Sequence, residues 1–562
     1  MKNYHPSQQL ILLICFFTSI IACDMGQQSK TKIDNPYEGI DWEAVHFLHS
    51  STHQHGRPES TPEDWHGRGD DRLLGLYEQG LRHFALSNYM PSAPVYPFYP
   101  LPDELEHKDD LISAPNAEHR TPTDFSMHFN TLGSYYRSGF TRNWEVNTRE
   151  APYTHIFDNG ELTVYDPDGR TSDGAYNLTI SLKARDGVNE EPRARVTLTG
   201  AVKRKARVPV EPAENGNIEN WEITGSDNKY LLFLEESPQV HIEYDPEKTE
   251  IEMLRLTQRT LLPWRQAFSE ALDGDRTDED GNPIEGLQFD DGGGIVINHP
   301  NRSDYREYLD LLDFDDRVLG MEIWNHRRAF GPQDEAPHDR YYNHWDDILS
   351  TGRRMYGFAA MDHRWQGRGR SVLLVPNPED RTRKERKQDA LRAYRHGQFF
   401  ALLGAIDTDQ EGNLLETGDY SEFRVSNLEL EKTNHGHPVA IRVAVTGNDP
   451  EKRPNIQLRI ITDQGTEKIV NEAEARFELP VSANGSVERK YVRIEALAFP
   501  NTHNQGESLS AKMIEQMNMY DIAMLHNFRG HAGGFDYYER GTEPIGIVDI
   551  LFTQPIRFIN TN

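Results

Sequence analysis

The chain has 562 residues, 27% charged and 36% hydrophobic, a soluble composition long enough for several domains around a large core. Its formal net charge of −30 repels a polyanion, and the short basic run from Arg381 to Lys387 reads as the solvated start of a helix. Nucleic acid is therefore excluded as a partner.

The N-terminus has the form of an export signal. Lys2 precedes an apolar stretch, Leu10 to Ile21, that is short for a membrane span. It ends Ile20-Ile21-Ala22-Cys23, the pattern of a bacterial lipobox. Residues 1–22 are thus expected to be removed and Cys23 to carry lipid, with residues 23–40 as a polar tether. The protein is expected in the cell envelope, at the periplasmic face or the cell surface. The other cysteine, Cys15, leaves with the signal, so thiol nucleophiles, disulfides and zinc–thiolate sites are excluded.

Past the tether, Trp42 to His49 reads as a strand that runs into Ser50-Ser51-Thr52-His53-Gln54-His55-Gly56. His49 and Ser51 share one face of it and His46 takes the other. His46, His49, His53 and His55 fall within ten residues. A helix over Asp70 to Gln79 ends at Gly80, and Leu81 to Ser87 is the next strand, a strand–helix–strand rhythm that builds parallel sheets. The loop Tyr89 to Pro100 is stiffened by four prolines, and its aromatics suit the wall of a cleft. Met127 to Leu132 is a further strand.

From about 140 to 255 the pattern is short alternating strands and turns, read as a β-rich insertion. The mixed pattern then resumes with a helix over Leu262 to Leu272. Gly292-Gly293-Gly294-Ile295-Val296-Ile297-Asn298-His299-Pro300 follows: a tight turn, a strand buried on both faces, and a proline that stops the ladder with His299 at its tip. Val318 to Asn325 and Met355 to His363 are strands; Trp345 to Ser350 and Asp389 to His396 are helices. From about 420 the alternation returns and suggests a β-sandwich, in which the Met-rich helical stretch Ser508 to Leu525 fills core.

Predicted strand tips thus carry His49, Asn88-Tyr89, His128, His299, Asn325-His326 and Asp362-His363, with Glu118-His119 just upstream of His128. Imidazoles and carboxylates that converge in this way suit a divalent transition metal. The residues resemble the PHP (polymerase and histidinol phosphatase) metallo-phosphoesterases. Leu48-His49-Ser50-Ser51-Thr52 matches that family's opening Leu-His-x-His-Thr except at Ser51, and Ser87-Asn88-Tyr89 stands where the family has Thr-Asp-His. Glu118 with His128, His299-Pro300, and Glu322-Ile323-Trp324-Asn325 fit later motifs. Asp362 fits the last one, but Arg364 stands where a histidine is expected and His363 comes one place early.

The resemblance implies an α/β fold: a distorted (β/α)7 barrel over 41–139 and 259–410, a β-rich insertion over 140–258, and a C-terminal β-sandwich over 420–562. It implies metal ligands at His49, Glu118, His128, His299 and Asp362, with one or two divalent ions (Zn, Mn or Fe). Glu118, His128 and His299 would hold the tightest ion, and His49 and Asp362 a second. Tyr89 and Arg364 would leave the family's third position vacant, and Arg364 would bind phosphate there. His53, His55 and His363 are replacement ligands on this reading; alternatively His53 or His363 protonates the leaving oxygen and His55 lines the substrate cleft with Tyr89. The implied activity is metal-dependent phosphoester hydrolysis on a small-molecule or glycan phosphate. The alternative is a degenerate lipoprotein that binds glycan or another envelope ligand without chemistry.

Overall fold

The computed structural model describes residues 30–55, 69–84, 86–87, 101–119, 124–125, 127–134, 142–145, 154–157, 161–164, 174–199, 203–206, 221–224, 229–234, 239–260, 263–274, 286–300, 302–325, 341–362, 369–404, 422–483, 485–503, 507–519, 521–522 and 548–561. A five-stranded sheet carries most of the site. Its order is Tyr356–Ala360, Val318–Asn325, Gly294–Asn298, His128–Leu132, Glu118–His119. The first three strands run parallel, His128–Leu132 runs antiparallel to them, and Glu118–His119 runs antiparallel to His128–Leu132. Every residue of Gly294–Asn298 is buried, as its unbroken apolar run demands.

One face of this sheet is covered by helix Trp264–Asp273. Pro263 precedes its first turn, and Gly274 ends it in the left-handed conformation with φ 68°. Trp264, Ala267, Phe268, Ala271 and Leu272 recur at helical spacing and are buried in a core with Phe129, Ile295 and Ile297. Burial of each large side chain contributes about 1.5–3 kcal/mol.

A nine-stranded sheet lies beside it. Its main path runs Lys30–Asp34, Ile556–Thr561, Tyr491–Phe499, Asp549–Thr553, Phe399–Leu403, Gly369–Val375, His46–Ser50, with Asn455–Thr462 and Gly465–Val470 branching from Tyr491–Phe499. Three strands, Arg424–Lys432, Pro438–Thr446 and Glu474–Glu478, form a separate sheet. Its inward residues Val425, Leu428, Ile441 and Val443 share a core with Val372, Leu402, Ile460 and Ile494 of the large sheet. The strands between 142 and 260 make two five-stranded antiparallel sheets, and among the described residues each strand pairs only within its own sheet.

The expected (β/α)7 barrel is corrected by these pairings. The described chain is β-rich with several mostly antiparallel sheets, and none of them closes into a barrel. The opening strand His46–Ser50 pairs antiparallel with Gly369–Val375, which pairs antiparallel with Phe399–Leu403. The predicted strand Leu81 to Ser87 reduces to isolated parallel bridges at His83, to Ser50 and to Ile112. The C-terminal strands also reach back into the rest of the chain: Asp549–Thr553 hydrogen-bonds Phe399–Leu403, so they extend the sheet that holds the opening strand. An apolar run marks a strand buried on both faces but carries no sign of its partner's direction.

Beneath the site lies a buried polar network. Tyr394 OH donates to Ser50 Oγ at 2.6 Å, and Ser50 Oγ meets His83 Nδ1 at 2.7 Å. Burial pushes the His83 imidazole down to about 3, and burial does the same to His119 against the pull of Glu118. Their folded pKa values lie below the unfolded value near 6.5, so the unfolded chain binds more protons between those limits. Their stability contribution is therefore complete above pH 6.5 and is lost as pH falls toward 3, at about 1.4 kcal/mol per unit for each group. Urea midpoints at pH 7 and pH 5 should fall less in His83→Gln than in the wild type.

Candidate metal centre

Two groups of side chains share Glu118. One is His53, His55, Glu118 and Asp362; the other is Glu118, His128 and His299. Within each, one ligand atom per residue lies within 4.8 Å of the rest. The strand Glu118–His119, paired with His128–Leu132, brings Glu118 beside His128; Gly294–Asn298, paired on the other edge, delivers His299. The segment 51–55 continues past the end of its strand without regular pairing, apart from an isolated bridge of Gln54 to Asp362. His55 N donates to Asp362 O at 3.2 Å and Asp362 N to His53 O at 2.9 Å, which places both imidazoles against the aspartate. Asn116 and Asn130 side chains both donate to Thr52 O, and Ser87 Oγ accepts from Gln54 N at 2.9 Å. These contacts hold the loop that bears the two histidines.

The carboxylate of Glu118 is turned to a different set on each oxygen. Oε1 lies 2.8 Å from His128 Nδ1, 3.0 Å from His299 Nε2 and 3.2 Å from Asn298 Nδ2. Oε2 lies 3.2 Å from His53 Nε2 and 2.9 Å from His55 Nε2. The two Nε2 atoms face one another at 3.0 Å, and each is 3.3 Å from Asp362 Oδ1. Buried lone pairs at such spacing require a cation among them, a proton or a metal ion. All the donors are nitrogen or carboxylate oxygen, so the residues fit a divalent ion.

His53 is prepared for that role by a second carboxylate. Its Nδ1 donates to Glu322 Oε1 at 2.7 Å, which in the neutral ring leaves Nε2 as the free lone pair. Glu322 is itself satisfied: Oε2 accepts from His299 N at 2.6 Å and Asn325 Nδ2 at 2.9 Å. Asn325 Nδ2 also reaches Asp362 Oδ2 at 3.2 Å.

The electrostatics follow from burial and neighbours. Burial works to lower His53, but Glu118, Asp362 and Glu322 outweigh it and raise it well above the usual imidazole range. Burial likewise works against His299, and its bond to Glu118 raises it. Glu118 is pushed up by burial and carried well below the carboxylate range by His53, His128 and His299. Among the described residues, His299 (φ 24°) and Asp362 (φ 53°) are the non-glycine residues with positive φ, and both sit in the centre. Backbone held in that region costs on the order of 1–3 kcal/mol and marks functional positions. Solvent reaches the centre from one side, where His128, His299 and Asp362 side chains are 28%, 15% and 15% exposed.

The structure thus brings Glu118, His128, His299 and Asp362 together with His53 and His55. His49 belongs to neither group. It lies within the ladder opposite Val372, and burial, with Arg370, His46, Arg424 and Arg82 nearby, holds its imidazole neutral. His53 is fully buried with Nδ1 turned to Glu322 and Nε2 to the cluster, the setting of a ligand. Tyr89, His363, Arg364 and Cys23 lie outside the described residues. Glu322 was named within a motif but without its supporting role, and no role was read for Asn116, Asn130 or Asn298; of these three, Asn298, directly before His299, had a local signal.

No protein-family model and no curated protein matches the chain. Among solved structures, a Paenibacillus sp. cycloisomaltooligosaccharide glucanotransferase complexed with cycloisomaltoheptaose is 11% identical over 75% of this chain, at a TM-score of 0.15; this chain spans about half of it, 47%. The binding domain of botulinum neurotoxin DC in complex with SialylT is 8% identical over 64% of this chain and 92% of its own length, at a TM-score of 0.12. Scores that low carry no argument about fold or function.

Proposed function

We propose that this chain is a metal-dependent hydrolase of phosphate esters, with two divalent ions, of Zn, Mn or Fe type, side by side across Glu118. The observation that carries the reading is the division of Glu118: one oxygen serves His53 and His55, the other His128 and His299. With His53, His55 and Asp362 on one side and His128 and His299 on the other, Glu118 would help hold two ions, which together would supply the chemistry of two-metal phosphoester hydrolysis. Nitrogen and oxygen donors without thiolate suit those metals. The likeness of His299-Pro300, Glu118 with His128, and Asp362 to the PHP phosphoesterase motifs supports phosphate over other esters.

When bound, the ions would lower the pKa of water and neutralise phosphate oxygens. The chain supplies the rest. Glu322 fixes the His53 ring and its tautomer. Asn298 Nδ2 and His299 hold Glu118 Oε1 in place. The partly exposed His128, His299 and Asp362 form the side on which substrate is received, while the buried His53 and His55 close the floor. The substrate class is a small-molecule or glycan phosphate.

Turnover of p-nitrophenyl phosphate and bis-p-nitrophenyl phosphate by protein loaded with Zn, Mn or Fe tests this, with a chelator as control. Chelator-sensitive release of p-nitrophenol is expected; metal-loaded protein inert toward both would end the reading. The proposed location is the cell envelope, on lipid at Cys23. Among the described residues no helix is long and apolar enough to cross a membrane. Cys23→Ser should move the protein from the membrane to the soluble fraction, and unchanged fractionation would refute the anchor.

A further inference from the structure

The two ligand groups of the metal centre are unequal, and in the same sense on three counts. The first count is the donors. Among the described residues, His53, His55, Glu118 and Asp362 make a set of four with two carboxylates, and Glu118, His128 and His299 a set of three with one. The second is exposure. His53, His55 and Glu118 side chains are 2% exposed or less, and Asp362 is the one partly exposed member of its set. In the other set both imidazoles reach solvent beside the Glu118 that they share.

The third count is what stands behind the donors. His53 and His55 flank Thr52, whose carbonyl accepts from Asn116 and Asn130, and their backbone is tied to that of Asp362 in both directions. Glu322 behind His53 adds a further negative charge. His128 is the first residue of its strand, and His299 stands one place past the last residue of its own.

We infer that the two positions are used differently. His53, His55, Glu118 and Asp362 hold a resident ion; Glu118, His128 and His299 hold one that exchanges with the surroundings, which puts the activity under the control of free divalent metal. The inference rests on the two-ion reading above and reverses the order of affinity that the PHP resemblance implies. Four protein donors in a sealed setting complete a shell, as in a structural site; three on an exposed side leave a place for water or substrate, as in a catalytic one. The extra carboxylate favours a cation in the first set. Donors already fixed in place also lose less freedom on binding it.

Titration of the two-ion protein with nitrilotriacetate, followed by gel filtration and elemental analysis, tests this without a substrate. Metal should leave in two steps of about one equivalent each, with midpoints at least about tenfold apart in chelator. His128→Ala should carry about one equivalent, lost only at the upper midpoint. Asp362→Asn should release all its metal by the lower midpoint. Turnover of p-nitrophenyl phosphate should disappear with the first equivalent and return when Mn or Zn is added back. If His128→Ala fails to fold, His299→Ala takes its place; if Asp362→Asn fails, the other two titrations decide. A single step in the wild type, a His128→Ala ion lost at the lower midpoint, or an Asp362→Asn ion kept to the upper one overturns the inference, whether or not the protein hydrolyses phosphate esters. Two steps in a protein inert toward such esters would uphold it and end the phosphatase reading instead, and a wild type without metal would end both.

Discussion

Glu118→Gln should empty both metal groups at once. The substitution keeps volume and shape in a position that is 1% exposed, so packing is little disturbed. It removes the one negative charge common to both groups. The first group would keep two imidazoles and Asp362, the second two imidazoles alone. The amide nitrogen would also face ring nitrogens on whichever side it is turned, since both oxygens of Glu118 are surrounded by imidazoles. Metal content by elemental analysis should fall to background, and phosphatase activity by about 10³-fold or more. Wild-type metal content in a folded Glu118→Gln protein would show that the ions, if any, lie elsewhere.

Glu322→Gln should weaken the metal without abolishing it. Glu322 touches no cluster oxygen; it acts through His53 Nδ1, His299 N and Asn325 Nδ2, all three of them donors. A carboxylate accepts all three on two oxygens. An amide accepts on one oxygen, and its NH2 is brought against at least one donor, which leaves a buried polar group unsatisfied at a cost of about 1–3 kcal/mol. The loss of charge also makes His53 a weaker ligand. Metal affinity should fall about 10–100-fold, as for other carboxylates behind a ligating histidine. Turnover at saturating metal should recover far more than in Glu118→Gln. An affinity equal to wild type would mean that His53 is held by the loop alone.

The site was more legible than the fold. His299 could be placed because Pro300 must end the ladder, and the structure puts it one residue past Asn298, the last in its strand. His128 and Asp362 were visible as ligand-type residues at strand tips, and Glu118 as one just upstream of His128. His53 and His55 stood out only through the density of histidines, because the opening strand was expected to deliver its ligand at His49. The ladder ends at Ser50, and the next five residues lack regular pairing, tied instead to His83, Ser87 and Asp362. Nothing in an alternating pattern announces that kind of segment. Helix Arg383–His396 begins inside the basic run read as a solvated helix start, at a capping box of Thr382 and Glu385 that the local sequence displays. Sheet architecture was the least visible. His46–Ser50 and Gly369–Val375 carry no sign of whether their partners run parallel or antiparallel, and Ile514, Met519 and Ile522 share a core with Phe129, Ile295 and Val318, contacts no local window contains.

The central claim is that two ions share Glu118, and metal stoichiometry tests it most directly. Wild type and His299→Ala, each dialysed against metal-free buffer after loading, are analysed for metal per chain. His299→Ala leaves His53, His55, Glu118 and Asp362 intact and leaves the other group with Glu118 and His128 alone. The account predicts about two equivalents in the wild type and one in His299→Ala. No metal in the wild type, or the same content in both proteins, would contradict it.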